Sequence, residues 1–271
     1  MKPAPFAYRR PRTLDEAVAA LAGTPGAKVL AGGQSLVPLL SMRLAAPAAL
    51  VDINALPDLD QVRCDEEGVR IGALARHADV LASADVRRVQ PLVALALEHV
   101  AHPTIRNRGT TVGSLVHADA AAEMPMVLRL LGGSVDVVGP SGRRTVAADD
   151  LFVGPLESSV ASDEIAVEAF FPALRAGVGV AFREIARRHG DYALVGVAAL
   201  VDGESVRVGY LSVADLPTVV DLSGVPEGEL GERALERLDP ADDIHASADY
   251  RAHLVRVLTA QVVASARELA A

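Results

Sequence analysis

Two short segments carry the residue types that grip an oxyanion. In Ala31-Gly32-Gly33-Gln34-Ser35-Leu36 two adjacent glycines let the backbone take positive φ and come close to a ligand. Successive amides and the Ser35 hydroxyl can then donate to phosphate oxygens. A plain tight turn between a strand and a helix is the competing explanation, because glycine pairs are common turn formers. The second segment, Thr104 to Ser114, holds Thr110, Thr111, Val112, Gly113 and Ser114 beside Arg106 and Arg108. Its hydroxyls can donate, and Gly113 permits close approach; the alternative is a solvated surface loop. Taken together, the two segments have the makings of opposite jaws on one diphosphate.

Other chemistries find less support. Neither segment matches the GxGxxG dinucleotide fingerprint or the GxxxxGK[ST] phosphate loop, and Gly177-Val178-Gly179 lacks a third glycine. His99, His102, His117, Asp119 and Glu123 raise the question of a metal, but Pro103 ends any helix that would align the first two, and no third ligand has a matching register. Packing or capping is the expected work of these histidines. Cys64 lies in QVRCDEEG, where neighbouring carboxylates raise its pKa, so it is not expected to act as a nucleophile. No catalytic residue is assigned.

The elements that must position the two segments read as mixed helix and strand. Thr13 and Glu16 have capping-box spacing before a helix over 14–22. Val29 and Leu30 form a short strand, Ser35 caps a helical turn running to Leu44, and Leu50 to Ile53 is a second strand. Further on, strands are predicted over 69–75, 165–171, 193–201 and 206–213, a hairpin around Pro140 to Gly142, and helices over 91–101, up to Gly132, over 227–238 and over 250–269. Residues 102–119 show no helical or strand period and are predicted as a long functional loop. Pro172 to Gly179 is the expected domain boundary.

The chain has 271 residues, 26 basic against 35 acidic, and a net charge of −9. Such a chain repels phosphate backbones, so nucleic acid is not an expected partner. With Cys64 as the single cysteine, an internal disulfide and a cysteine-held iron–sulfur cluster are both excluded. No apolar run reaches roughly 18 residues, the opening residues are not expected to act as a signal peptide, and a cytoplasmic setting is expected.

AGGQSL at 31–36, IRNRGTTVGS at 105–114, HADAAAE at 117–123, ARRHGDYALVGVAAL at 186–200 and HASADYRAHLVRVLT at 245–259 resemble, in order and separation, the medium, FAD-binding subunit of the molybdenum hydroxylases, notably the carbon monoxide dehydrogenase-type branch. The resemblance implies an α+β, two-part FAD-binding fold (PCMH-type) over residues 1–172, with subdomains about 1–56 and 57–172, then a smaller α/β C-terminal domain over 173–271. It implies that Ala31 to Leu36 and Thr110 to Ser114 grip the FAD diphosphate and that Glu123, with Asp119, holds sugar hydroxyls. It also implies that Asp191 and Tyr192 border the flavin ring and that Ile165 and Arg183 approach the cofactor. The implied function is electron transfer from [2Fe–2S] clusters on a small partner subunit through FAD to an acceptor, with the molybdenum cofactor on a large partner, as a dimer of heterotrimers. The substrate, whether carbon monoxide, an aldehyde or an N-heterocycle, is left open. Two departures stand out: Val112 replaces one of two usual glycines, and YLSVADLPTVVDLSG at 210–224 lacks the usual glycine-rich character. A stand-alone flavin oxidase using His189, or a structural subunit that has lost FAD, are the alternatives.

Overall fold

The computed structural model describes residues 1–270. The first unit is a three-stranded parallel sheet in the order Ala7–Arg9, Ala49–Asp52, Lys28–Leu30. The helix Leu14–Ala22 starts as its sequence predicts: the Thr13 side chain accepts from the Glu16 amide at 3.2 Å, and the helix buries Ala17, Val18 and Leu21. The helix Leu36–Met42 follows the Lys28–Leu30 strand. Ser35 stands before it in right-handed helical backbone and makes no side-chain cap, so its hydroxyl is not the helix-starting group expected.

The second unit is a five-stranded antiparallel sheet in the order Val62–Cys64, Gly68–Gly72, Ile165–Pro172, Ser134–Gly139, Gly142–Ala147. The predicted hairpin is present, turning at Gly142 with φ +106°. Helices Pro91–Leu97 and Glu123–Leu131 are apolar on most sides and are buried accordingly. Residues 102–119 are not the structureless loop expected. They form two short helices, Pro103–Arg106 and Thr111–His117. Pro103 supplies a preset φ at the first helical position, and the Thr110 hydroxyl accepts from the Gly113 amide at 3.2 Å. Helices of 4 and 7 residues are too short to display a full amphipathic period.

The third unit is an antiparallel sheet in the order Val178–Ala186, Ala193–Asp202, Ser205–Leu211, Thr218–Asp221. The Val178–Ala186 strand is absent from the sequence reading, which stops at the glycines before it. One face of this sheet packs on the final helix, Ala248–Ala270, around Val195, Val197, Val255 and Val262. The other face gives Val180, Ala198 and Leu211 to the core of the preceding units. Ala193–Asp202 is therefore buried along nearly its whole length, which its unbroken apolar run anticipates. Gly179 marks the tightest point. A β-carbon there would lie 1.8 Å from the Ala266 carbonyl oxygen and 2.8 Å from the Ala270 nitrogen.

Gly179→Ala should force strand and helix apart and lower stability by about 1–3 kcal/mol, as overpacking does. Thermal unfolding followed by circular dichroism reads this directly, and an unchanged midpoint would contradict the close packing.

Candidate functional site

The glycine segment leaves the carboxyl end of the Lys28–Leu30 strand, where open parallel sheets place their ligands. Gly33 has φ +74°, a conformation that favours glycine. Among the described residues no protein atom accepts a hydrogen bond from the amides of Gly32, Gly33, Gln34 or Ser35. A row of unpaired amides next to a free serine hydroxyl is the donor set an oxyanion needs.

The second segment is pressed against the first. A β-carbon on Gly32 would sit 2.4 Å from the Arg108 carbonyl oxygen, 2.9 Å from Gly109 Cα and 3.1 Å from the Thr110 nitrogen. No side chain fits between the two backbones. Both segments line one cavity of about 570 Å³, within the range of roughly 300–1,000 Å³ common for small-molecule and cofactor sites. Ala31, Gly32, Gly33, Gln34, Ser35 and Leu36 all reach it, as do Thr110, Val112, Gly113 and Ser114.

Some expected members are elsewhere. Thr111 does not line the cavity; it is fully buried, with Oγ1 3.1 Å from His77 Nδ1. Burial, aided by the charge of Arg106, pulls the His77 pKa down to about 4, so this is a neutral pair that anchors the helix. Arg106 donates to the Val100 and Ala101 carbonyls at 2.8 Å each and shapes the chain rather than the cavity. Val112 is helical and 2% exposed, so its branched side chain is absorbed into the core while it lines the wall.

The far wall carries the charge. Asp119 follows the end of the Thr111–His117 helix, and its Oδ1 accepts from the Ala121 amide at 2.9 Å. Glu123, the first residue of its helix, is 8% exposed and lines the cavity. Burial, and then the nearby Glu184 carboxylate, push its pKa up to about 8. Glu184, absent from the sequence expectations, stands behind Glu123 and does not itself line the cavity. Its side chain is 4% exposed; Oε1 lies 3.2 Å from His99 Nδ1, and Oε2 has no partner. The hydrogen bond to Glu184 raises the His99 pKa. Alternation along Val178–Ala186 turns Glu184 inward and Arg183 outward, so recognising that strand would have found the first and removed the second. Arg183 is exposed and away from the cavity. Ile165 is buried in the core beside it, while its neighbours Glu164 and Ala166 reach the wall.

Asp191 and Tyr192 complete the rim. Gly190, with φ +84°, lies so close to His102 that a β-carbon would be 2.5 Å from its Cε1. That approach brings the third unit to the cavity. Arg188 Nε sits 3.0 Å from Asp191 Oδ2 and holds its carboxyl below the usual range. Tyr192 is 65% exposed at the mouth. Lys28, Leu156 and Val160, which no motif flagged, also line the cavity.

Residues 4–174 match the family described as the FAD binding domain in molybdopterin dehydrogenase. The chain belongs to this family. It is 38% identical to the nicotine 6-hydroxylase medium subunit of Paenarthrobacter nicotinovorans, over 98% of this chain and 99% of that one. It is 34% identical to the carbon monoxide dehydrogenase medium chain of Hydrogenophaga pseudoflava, over 93% of each. Among solved structures it superposes on a carbon monoxide dehydrogenase chain from the same bacterium with a TM-score of 0.93, 31% identity and full coverage of both. The resemblance drawn from the motifs is thereby met: the chain is an FAD-binding medium-subunit homologue of the molybdenum hydroxylases, within a class of oxidoreductase subunits. The glycine cradle and its unpaired amides suit a dinucleotide diphosphate, so residues and cofactor fit. No helix among the described residues is long and apolar enough to cross a membrane.

Two outcomes follow. Gly32→Ala must separate the jaws, and a loss of about 1–3 kcal/mol is expected in denaturant unfolding. For Glu123, a folded pKa near 8 against an ordinary value of 4.5 means that its contribution to stability is full below pH 4.5 and is lost as pH rises through 8. The melting temperature of Glu123→Gln relative to the unsubstituted chain should therefore climb between pH 5 and pH 9; a flat difference would refute the buried, protonated carboxyl.

Proposed function

We propose that this chain holds FAD with its diphosphate between residues 31–36 and 110–114, and carries electrons from [2Fe–2S] clusters of a small subunit to an external acceptor. Residues 1–172 form the FAD-binding region in this reading, and 173–271 a C-terminal domain that closes the rim. The observation that carries it is the backbone contact of Gly32 with Arg108 to Thr110, which sets two sets of donors on one cavity.

FAD supplies reversible two-electron and one-electron redox chemistry when bound; the protein supplies placement and electrostatics. The amides of Gly32 to Ser35 and the Ser114 hydroxyl would take the phosphate oxygens. Protonated Glu123, with Asp119, would meet sugar hydroxyls, the one as a donor and the other as an acceptor. Tyr192 would cover the ring at the mouth. No residue of this chain need act as acid or base toward a carbon substrate. Relatives named for nicotine, caffeine and carbon monoxide share this type of subunit, which supports leaving the choice of substrate to a large molybdenum-cofactor subunit. We further propose a dimer of such heterotrimers working in the cytoplasm.

The purified complex should show flavin bands near about 370 and 450 nm, as free flavin does. Gly33→Val places a branched residue where φ is +74° and where a β-carbon already meets Leu30 and Val37 at 3.2 Å. It should cut the flavin content of the complex sharply while circular dichroism stays unchanged. Full flavin occupancy in that variant would reduce the segment to a turn.

A further inference from the structure

The contact between the two jaws is held from behind by a chain of polar side chains that does not itself line the cavity. It starts at Asp52, the last residue of the central Ala49–Asp52 strand and only 8% exposed. Asp52 Oδ2 accepts from the Tyr8 hydroxyl. Asp52 Oδ1 accepts from the Asn54 amide nitrogen at 2.9 Å and from Asn54 Nδ2 at 2.7 Å. The second Nδ2 hydrogen of Asn54 goes to the Ala31 carbonyl at 2.9 Å, in the first jaw. Asn54 Oδ1 accepts from Arg76 Nη2 at 2.8 Å, and Arg76 Nη1 donates to the Arg108 carbonyl at 2.8 Å, in the second jaw. The backbone repeats the link, with the His77 amide donating to the Gly109 carbonyl at 3.0 Å.

Every donor and acceptor in this chain has one consistent role. Asn54 uses its amide as donor toward Asp52 and Ala31 and as acceptor toward Arg76, which a carboxylate of the same shape cannot do. Arg76 spans two acceptors with separate arms of its guanidinium, which an ammonium cannot do. Through Asn54 on the Ala31 carbonyl and Arg76 on the Arg108 carbonyl, the pair ties the residue next to Gly32 to the residue against which Gly32 is pressed.

We propose that Asn54 and Arg76 are positioning residues that set the spacing of the two diphosphate-binding segments, and so determine how strongly the site favours a diphosphate-bearing ligand. The inference rests on the FAD reading above. Neither residue touches the ligand; both act through the carbonyls of Ala31 and Arg108.

The test uses the purified complex stripped of flavin and titrated with FAD, ADP and riboflavin, in the unsubstituted form and as Asn54→Asp, Arg76→Gln and Arg76→Lys. Loss of a hydrogen bond to a charged group corresponds to about a tenfold to a hundredfold change in an equilibrium. FAD and ADP should weaken by that factor in all three variants, while riboflavin, which has no diphosphate, keeps its affinity. Arg76→Lys should behave as Arg76→Gln, because charge without span does not close the link; recovery in the lysine variant would overturn the proposal. Equal weakening of FAD, ADP and riboflavin would overturn it too, by reducing the chain to general support of the fold. If Asn54→Asp does not assemble, the two Arg76 variants decide the matter alone. Failure of the unsubstituted complex to bind FAD or ADP would instead sink the flavin reading, and this inference with it.

Discussion

The site depends on two stretches of backbone meeting without a side chain between them. Gly32 abuts Arg108, Gly109 and Thr110 at distances that exclude even a methyl group. The first stretch thereby presents unpaired main-chain amides, and the second the Ser114 hydroxyl, to the same space. Main-chain donors lose no rotamer freedom on binding, which favours a preorganised oxyanion site over one built from lysines and arginines. The lining contains few cations: Lys28 is present, while Arg106 and Arg108 bind carbonyls or face solvent. Under the proposed reading, an acidic chain would bind a diphosphate through amide dipoles rather than net charge.

Much of this was legible in the residues because glycine, proline and hydroxyl side chains act locally. The Gly32–Gly33 turn, the Thr13 cap and the Gly142 hairpin need only a few neighbours to be recognised. What escaped depends on distant partners. The Thr111–His117 helix is too short to show a period, and Thr111 faces His77, 34 residues away, instead of the cavity. Glu184 and Arg183 exchange their expected importance because strand alternation was not recognised after Gly179. Asn54 and Arg76 carry no motif at all; their importance lies in hydrogen bonds spanning 22 to 32 residues.

The far wall follows a different logic. Glu123 lines it from a helix start, with Glu184 from a strand and His99 from the end of a helical segment behind it; burial, and then the Glu184 carboxylate, raises the Glu123 pKa, and the hydrogen bond to Glu184 raises that of His99. Glu184 forms a pair with His99 and keeps one oxygen without a partner, while Glu123 stays neutral near pH 7. A neutral carboxyl donates as well as accepts, so this wall can serve hydroxyl groups that a row of carboxylates would serve only as acceptors.

The antiparallel sheet of the third unit has its two faces in two different cores, and its Gly190–Tyr192 corner reaches the same cavity as the glycine turn near the amino terminus. Heat or denaturant therefore meets no seam along which the carboxyl-terminal hundred residues can peel away intact. Removing one part would strip apolar cover from the other, so each core relies on the sheet they share and the pocket relies on both.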